Sequence, residues 1–369
     1  MSKAAELANL IGNINAGGGG VNRNVIINGA MNVAQRGTSS TGLGANTDAT
    51  TRYQTIDRFG IDVEGTTLGR YTMTQDSSAP EGFANSLKLA CTTADTSIGA
   101  AELVTLSQII EGQNLQHFCK GTSSAKSYAV SFYVKGNASA TYVCELFDGD
   151  NSRHVAKTFS VTTDWTRVEL SFPADTAGAF DDDANASLYL QIFLHAGSNF
   201  NSGTLPATWA SKTNANRAVG GNSFFDSTAR TFFITGVQLE VGQNPTSFEH
   251  EPFETTLRKC QRYYAHTYGY GNTVGASFNQ SYGGMIYIIG TGNYGCSVEW
   301  KFPVEMRATP TVDLYGHAGT KNRVTYWNGS ESTYDDLYRN SSQLIGFSLG
   351  ANSNTEDFYS AGCVAQAEL

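Results

Sequence analysis

The acidic residues of this sequence are its most obvious candidates for chemistry. The run Asp181–Asp183 places three carboxylates in one loop, and carboxylates are ligands that suit Ca²⁺. Because the run lacks the alternating spacing of calcium loops, we interpret it as a solvated turn and predict no metal. Glu145, Asp148 and Asp150 lie near the end of a predicted strand, where a carboxylate pair could hydrolyse a glycosidic bond. With 33 acidic residues in the chain, their presence alone does not indicate an enzyme.

No catalytic motif stands out elsewhere in the sequence. The patterns GxSxG, HExxH and GxxxxGK[ST] are absent. The 6 His residues are scattered, and none of the 6 Cys residues belongs to a CxxC pair or a Cys/His cluster. We interpret the cysteines as reduced thiols of a chain made in a cytosol. The sequence therefore predicts no enzymatic activity and no cofactor.

Aromatic residues in Gly- and Asn-rich loops are the candidate ligand-binding residues. Flat rings stack on the apolar faces of sugars, and small neighbours leave such rings accessible. The candidates all belong to the last third of the chain: Tyr268, Tyr270, Tyr282, Tyr326 and Trp327. Trp165 and Trp300 lie in alternating segments instead, and we predict that both pack in a core.

The composition is that of a β protein. Only 15% of the residues are charged, against about 25% in an ordinary soluble domain. Ser, Thr, Asn and 39 Gly make up the difference, and aromatic residues reach 11%. The net charge of −9 argues against a nucleic-acid partner. No apolar run approaches the length of a membrane span, so none is predicted.

Short alternating segments separated by turn residues predict a jelly-roll β-sandwich over residues 24–252. The first segment, NVIINGAMNVAQRGT at 24–38, is predicted as a strand, a turn at Asn28–Gly29 and a second strand. Further strands are predicted at residues 128–134, 141–150, 155–161, 164–172, 187–197 and 231–242. Almost no helical period intervenes, which argues against a parallel α/β sheet.

The two ends of the chain differ from this sandwich. Residues 2–15 predict a short helix whose Leu7, Ile11 and Ile14 form a coiled-coil seam, and Gly17–Gly20 follows as a tether. Residues 1–23 are therefore predicted to be a docking peptide for other proteins; a frayed helix lying on its own domain is the alternative.

The chain continues beyond the sandwich with a short helix at residues 254–264 and a smaller β domain that completes residues 253–369. Leu257, Cys260 and Tyr264 share one side of that helix. Both helices are too short to be stable alone in water, so we predict that they associate with copies of themselves in a homotrimer.

Four stretches together resemble a family of bacteriophage virion proteins, mainly tail fibres. They are NVIINGAMNVAQRGT with YQTIDRFGID, YAVSFYVKG with DWTRVELSFPADTAG, ITGVQLEVGQNPTSFEHEPFETTLRKCQRYY, and FPVEMRATPTV. The resemblance covers about residues 24–312, and its third stretch is the most specific. It implies a jelly roll like those of carbohydrate-binding modules, then a helix and a C-terminal β domain, in a homotrimer without catalytic residues.

The resemblance leaves several functions open. The favoured one is a trimeric tail fibre on the virion, assembled in the host cytoplasm, that attaches by its N-terminus and contacts host-surface glycans. A decoration protein of the capsid or tail is one alternative, and a virion-borne glycan depolymerase is another. The stretch VQLEVGQNPTSFE at 237–249 is interpreted as a structural joint that ends the last strand of the sandwich and returns Phe248 to it.

Overall fold

The computed structural model describes most of the chain. The described residues are 2–8, 22–45, 51–65, 68–272, 274–275, 286–289, 296–326, 331–333, 337–351 and 358–369. Two compact units divide it: one contains Met1–Asn32, Thr38–Pro252 and Leu369, and the other contains Val33–Gly37 and Phe253–Glu368. The domain boundaries at residues 23 and 252, inferred from changes in composition and hydrophobic period, stay predictions. Among the described residues, no helix is long and apolar enough to traverse a bilayer.

The first unit is a sandwich of two antiparallel six-stranded sheets, which confirms the all-β prediction. The first sheet has the order β1 (Ser39–Leu43), β3 (Arg70–Asp76), β4 (Ser86–Thr93), β12 (Thr231–Val241), β6 (Tyr128–Gly136) and β9 (Thr166–Phe172). The second has the order β11 (Ala210–Ser211), β8 (Arg153–Val161), β7 (Ala140–Asp148), β10 (Ala186–Ala196), β5 (Leu103–Glu111) and β2 (Gly60–Glu64). The strands predicted between residues 128 and 242 are confirmed as β6 to β10 and β12.

Side chains from the two sheets meet in an aromatic core. Phe132 of β6 contacts Phe159 of β8 edge-on with ring centroids 5.0 Å apart, and Tyr142 of β7 contacts Phe232 of β12 at 5.4 Å. Burying each such ring contributes about 1.5–3 kcal/mol. Because successive side chains of a strand point to opposite faces of the sheet, the apolar residues that alternate along each strand face the opposing sheet. Trp165, which was predicted to pack in the core, is half-buried against Phe233.

The segment 24–38 does not form the two predicted strands. Its turn is present, but Asn28 and Met31 adopt left-handed φ angles of 61° and 58°, which interrupt an extended strand. The side chain of Gln108 binds the backbone of Ile27 instead, accepting from its N–H at 2.7 Å and donating to its carbonyl at 2.8 Å. The alternation of apolar residues predicted strands here. The backbone N–H and C=O groups of this segment are instead hydrogen-bonded largely by side chains, so they do not need a partner strand.

The VQLEVGQNPTSFE stretch is held by a buried carboxylate. β12 ends at Val241, and the fully buried Glu240 just before its end accepts hydrogen bonds from the backbone N–H and the hydroxyl of Thr246, at 2.7 and 2.8 Å. Arg23 pairs with the same carboxylate at 3.3 Å. Phe248 then packs against Phe83 with ring centroids 5.0 Å apart. The returning chain is thus tied to the sandwich, as the interpretation of this stretch as a joint requires.

The larger part of the second unit begins with helix α3 (Phe253–Gln261), which ends before the predicted residue 264. Its Thr256 and Cys260 are buried and its Leu257 is half-buried. Tyr264, predicted on the same side of the helix, lies beyond it and is also buried, so the predicted stripe is wrong. Its larger sheet contains β13 (Tyr264–His266), β14 (Ile286–Ile289), β16 (Thr311–Tyr315), β17 (Arg323–Tyr326), β18 (Glu331–Thr333) and β21 (Phe358–Gln366). A second sheet has the order β15 (Cys296–Lys301), β20 (Gly346–Ala351) and β19 (Leu337–Ser342). Trp300 packs against the buried cluster of this unit, consistent with the predicted core role.

Residues 33–37 are built into this second unit. The Gln35 amide donates to the Tyr264 carbonyl at 2.8 Å, and the Arg36 guanidinium lies 3.7 Å from the centre of the Tyr264 ring. Arg36 also pairs with Glu368 at 3.0 Å. Two further helices are described in the first unit: α1, whose described part covers residues 3–8, and α2 (Ser198–Asn201).

Candidate functional site

The aromatic residues chosen from sequence are not all accessible. Tyr268 is buried at 9% exposure, because its ring packs where a side chain on Gly362 would stand. Its selection as a surface contact is therefore wrong. Tyr270 is 44% exposed, and its ring lies edge-on to Phe253 at 5.1 Å. The structure does not describe Tyr282, Trp327 or the side chain of Tyr326.

The predicted docking residues are described only in part. Leu7 lies on α1 and is 57% exposed. Ile11 and Ile14 lie outside the described residues, so the seam that the sequence predicts stays a prediction.

The acidic candidates do not come together. Register places Asp148 opposite Leu188, whereas Glu145 lies opposite Gln191. Residues three apart on a strand point to opposite faces of the sheet, so Glu145 and Asp148 cannot flank one bond. Within the run Asp181–Asp183, the Asp183 carboxylate accepts from the backbone N–H of Asn185 at 2.8 Å, which is a local turn contact.

A different set of side chains gathers on the outer face of the second sheet. Along β10, Leu190 and Ile192 line a small void together with β12 residues of the opposing sheet, and therefore point into the sandwich. Tyr189 and Gln191 point the other way because side chains alternate along a strand. On the neighbouring β7, Phe147 lies in register with Tyr189. We call this surface the Tyr189 face: Phe147, Tyr189 and Gln191, with Arg52, Asp62, Glu145 and Arg217 around them.

One side of the Tyr189 face is a buried charged network. The Arg217 guanidinium donates to both oxygens of Glu145, at 3.1 and 2.6 Å, and to the side-chain oxygen of Gln191 at 2.7 Å. His154 Nδ1 lies 2.7 Å from the same carboxylate. Burial would raise the pKa of Glu145, but the hydrogen bonds and charges of His154 and Arg217 outweigh burial and lower the pKa. The carboxylate is therefore ionised at neutral pH and holds Arg217 in place.

The insertion between β10 and β12 positions Arg217. Ala218 and Phe200 of this insertion pack on Val143 and Phe193, which lie on the outer side of the second sheet. This packing fixes the position of the adjacent Arg217, whose guanidinium lies 5.4 Å from the centre of the Phe147 ring. The ammonium of the exposed Lys212 lies 4.8 Å from the same ring, so two cations border it.

The other side of the Tyr189 face carries a second ion pair. Arg52 pairs with Asp62 of β2 at 3.0 Å and donates to the Ser107 hydroxyl at 2.6 Å. Tyr189 is half-buried, and its ring centroid lies 5.3 Å from that of Phe147 at a tilted angle. Burial raises the pKa of the Tyr189 hydroxyl, which also interacts with the charges of Arg52 and Asp62. An aromatic pair is thus flanked by two Arg–carboxylate pairs.

This arrangement has the features of a site for a small polar molecule. Apolar rings with a few fixed hydrogen-bonding groups are typical of small-ligand sites. Each arginine has its own carboxylate partner, so the exposed Lys212 accounts for the net charge of this face. Sequence reasoning missed the set because its members lie far apart in the chain; the alternation Tyr189-x-Gln191 within an apolar strand was the one local signal.

Comparison with known proteins gives similarity of fold only. No protein-family model matches the sequence, and no curated protein does. A CBM4 structure is 14% identical with a TM-score of 0.30, and the match covers 58% of this chain and 97% of that one. A family 11 carbohydrate-binding module from Clostridium thermocellum, in complex with a β-1,3-1,4-mixed-linked tetrasaccharide, is 12% identical with a TM-score of 0.27, over 58% of this chain and 99% of that one.

A virion protein is also among the similar structures. The enzymatically active domain of tailspike protein 4 of bacteriophage CBA120 is 11% identical with a TM-score of 0.29. The match covers 59% of this chain and 21% of the tailspike chain. Similarity at this level carries no conclusion about ligand, activity or partners.

Proposed function

We propose that this protein is a bacteriophage virion protein that binds host-surface glycans through the Tyr189 face. The half-buried Tyr189–Phe147 pair, flanked by the Arg52–Asp62 and Arg217–Glu145 pairs, is the observation that carries the binding proposal. A sugar presents C–H groups to an aromatic ring and hydroxyls to the charged groups around it. Each arginine is already paired with a carboxylate, and the exposed Lys212 adds a single positive charge beside Phe147, so the face favours a hydroxyl-rich ligand over a polyanion.

The virion assignment rests on the sequence. The four stretches that resemble phage tail fibres span about residues 24–312 and include the VQLEVGQNPTSFE joint, whose contacts are internal to the sandwich. We place the protein on the virion as a tail fibre without catalytic activity, attached through its N-terminal residues. Release of new reducing ends from host polysaccharide would contradict the non-enzymatic part of this proposal.

Replacing Tyr189 with Ala is expected to weaken binding to host polysaccharide about tenfold or more, because the ring supplies the apolar contact. Binding is measured by titration calorimetry on the full chain, alongside the melting temperature. The matched control is Tyr270→Ala, which removes the exposed ring that the sequence predicted as a contact. Weaker binding by the Tyr270 variant alone would move the site to the second unit, and unchanged binding by both variants would refute glycan binding through either ring.

The homotrimer is the second prediction of this proposal. Leu7 on α1 and Phe253 at the start of α3 are 57% and 42% exposed, and large apolar side chains on short helices favour association. Light scattering of the purified chain is expected to give three times 39.6 kDa. A monomer at micromolar concentration contradicts it, and Leu7→Ser together with Phe253→Ser tests whether these side chains hold the assembly.

A further inference from the structure

A separate cluster of ionisable side chains lies at one end of the sandwich, apart from the residues of the Tyr189 face. Asp95 follows β4, Glu102 immediately precedes β5, and His195 is next to last in β10. All three are buried, with exposures of 3%, 7% and 1%. One possible ligand atom from each lies within 4.8 Å of those of the other two. The β4–β5 loop thus supplies two carboxylates, and the distant end of β10 supplies one imidazole, at the same interior point.

The histidine is oriented on both sides. His195 Nδ1 lies 2.8 Å from the Ser223 hydroxyl, and Nε2 lies 3.2 Å from a carboxylate oxygen of Glu102. A metal-binding histidine usually has its second ring nitrogen fixed by a hydrogen bond, and Ser223 holds Nδ1 in this way while Nε2 remains on the side of the Glu102 carboxylate. Two ligands bound at about 2.1 Å in tetrahedral geometry are about 3.4 Å apart. The distance between His195 Nε2 and the Glu102 oxygen is 3.2 Å, and the Asp95 ligand atom lies within 4.8 Å of both residues' ligand atoms.

The loop that carries the two acids is fixed by its backbone. Asp95 N–H donates to the Phe225 carbonyl at 2.8 Å, and Gly197 N–H donates to the Glu102 carbonyl at 2.7 Å. A side chain on Gly197 would stand 2.0 Å from the Gly99 carbonyl oxygen, so this close approach requires glycine. The Asp95 carboxylate itself accepts hydrogen bonds from the backbone N–H groups of Leu68 and Ser97, at 2.8 and 3.2 Å. A second buried carboxylate within 4.8 Å favours a bound cation between them.

We propose that Asp95, Glu102 and His195 bind a Zn²⁺ ion that stabilises the fold, with its fourth position left to water. The donor set of one imidazole and two carboxylates suits zinc, whereas Ca²⁺ requires six to eight oxygen ligands. Zinc bound here links the β4–β5 loop to the end of β10 and, through Ser223, to the segment before β12. It stabilises the sandwich independently of any ligand on the Tyr189 face.

The test uses the full chain, stripped with a chelator and desalted, to which Zn²⁺ or Ca²⁺ is added separately. Zinc is expected to be retained at one ion per chain by elemental analysis and to raise the melting temperature by about 4 °C or more. Calcium is expected to give neither effect. Failure of the chain to retain zinc, or an equal temperature rise with calcium, overturns the proposal.

Two variants separate this site from adventitious zinc. Glu102→Gln preserves size and hydrogen bonding to His195 while removing one anionic ligand, and it is expected to lose the bound zinc and the temperature rise. His250→Asn, which removes an exposed histidine, is expected to retain both. The variant His195→Asn is also expected to lose the bound zinc. If that variant does not fold, the zinc content of Glu102→Gln alone tests the site. Retention of stoichiometric zinc by Glu102→Gln, or its loss from the His250 variant, refutes the assignment.

Discussion

Replacement of Lys120 with Met is expected to lower the free energy of unfolding by about 3–5 kcal/mol. The Lys120 ammonium is fully buried, lies 2.6 Å from an Asp148 oxygen and 3.2 Å from an Asp175 oxygen, and donates to the Ala177 carbonyl at 2.9 Å. Methionine keeps most of the length and removes the charge. Asp175 retains Arg153 as a partner at 2.8 Å, but Asp148 is left as a buried anion without its cation.

Urea denaturation of the variant and the original chain measures this loss. The matched control is Lys88→Met, because the Lys88–Asp76 pair has the same composition, a distance of 3.1 Å and side-chain exposures of 31% and 22%. Water screens that pair, so its loss is expected to cost about 1 kcal/mol or less. Equal losses in the two variants would contradict the argument from burial. The double variant Lys120→Met, Asp148→Leu is expected to recover part of the stability.

Replacement of Glu145 with Gln is expected to cost about 3 kcal/mol or more at neutral pH. The carboxylate is fully buried and is the common partner of Arg217 and His154, at 2.6 and 2.7 Å. Glutamine fills the same volume and leaves the Arg217 charge without its counterion. The control Glu169→Gln removes one member of the exposed pair with Arg167 and is expected to cost about 1 kcal/mol or less.

The pH dependence gives this prediction a second readout. The folded-state pKa of Glu145 is lowered, because His154 and Arg217 outweigh the effect of burial. Its contribution is therefore present above the unfolded-state pKa of about 4.3 and is lost as the pH falls through the folded value. The difference in unfolding free energy between the original chain and Glu145→Gln is expected to shrink toward acid pH. A difference that is constant from pH 7 to pH 3 would contradict it.

The regular strands were the predictable part of this fold. In β6 and β10, inward apolar residues alternate with other side chains, and the two-residue period identifies such strands without knowledge of their partners. The segment 24–38 has a similar alternation, but the left-handed residues Asn28 and Met31 interrupt the extended backbone. The sequence pattern did not predict either of these φ angles. Local pattern is informative only where the backbone is regular.

The candidate site depends on strand order, which the sequence does not state. Neighbours in the second sheet run β7, β10, β5, β2, so Glu145, Gln191 and Ser107 become adjacent across gaps of tens of residues. Tyr268 shows the opposite limit. The glycines near Tyr268 in the sequence suggested an accessible ring. The distant Gly362 instead allows the Tyr268 ring to be buried, because any side chain at position 362 would clash with it.

The path of the chain between the units has a consequence for recombination. Val33–Gly37 belongs to the second unit although it precedes most of the first, and Leu369 belongs to the first although it ends the chain. A single crossover near residue 252 would therefore exchange Tyr264 and Glu368 while leaving behind the Gln35 and Arg36 that bind them. When related genes exchange the second unit, residues 33–37 have to change together with residues 253–368. These two parts of the sequence are therefore expected to coevolve.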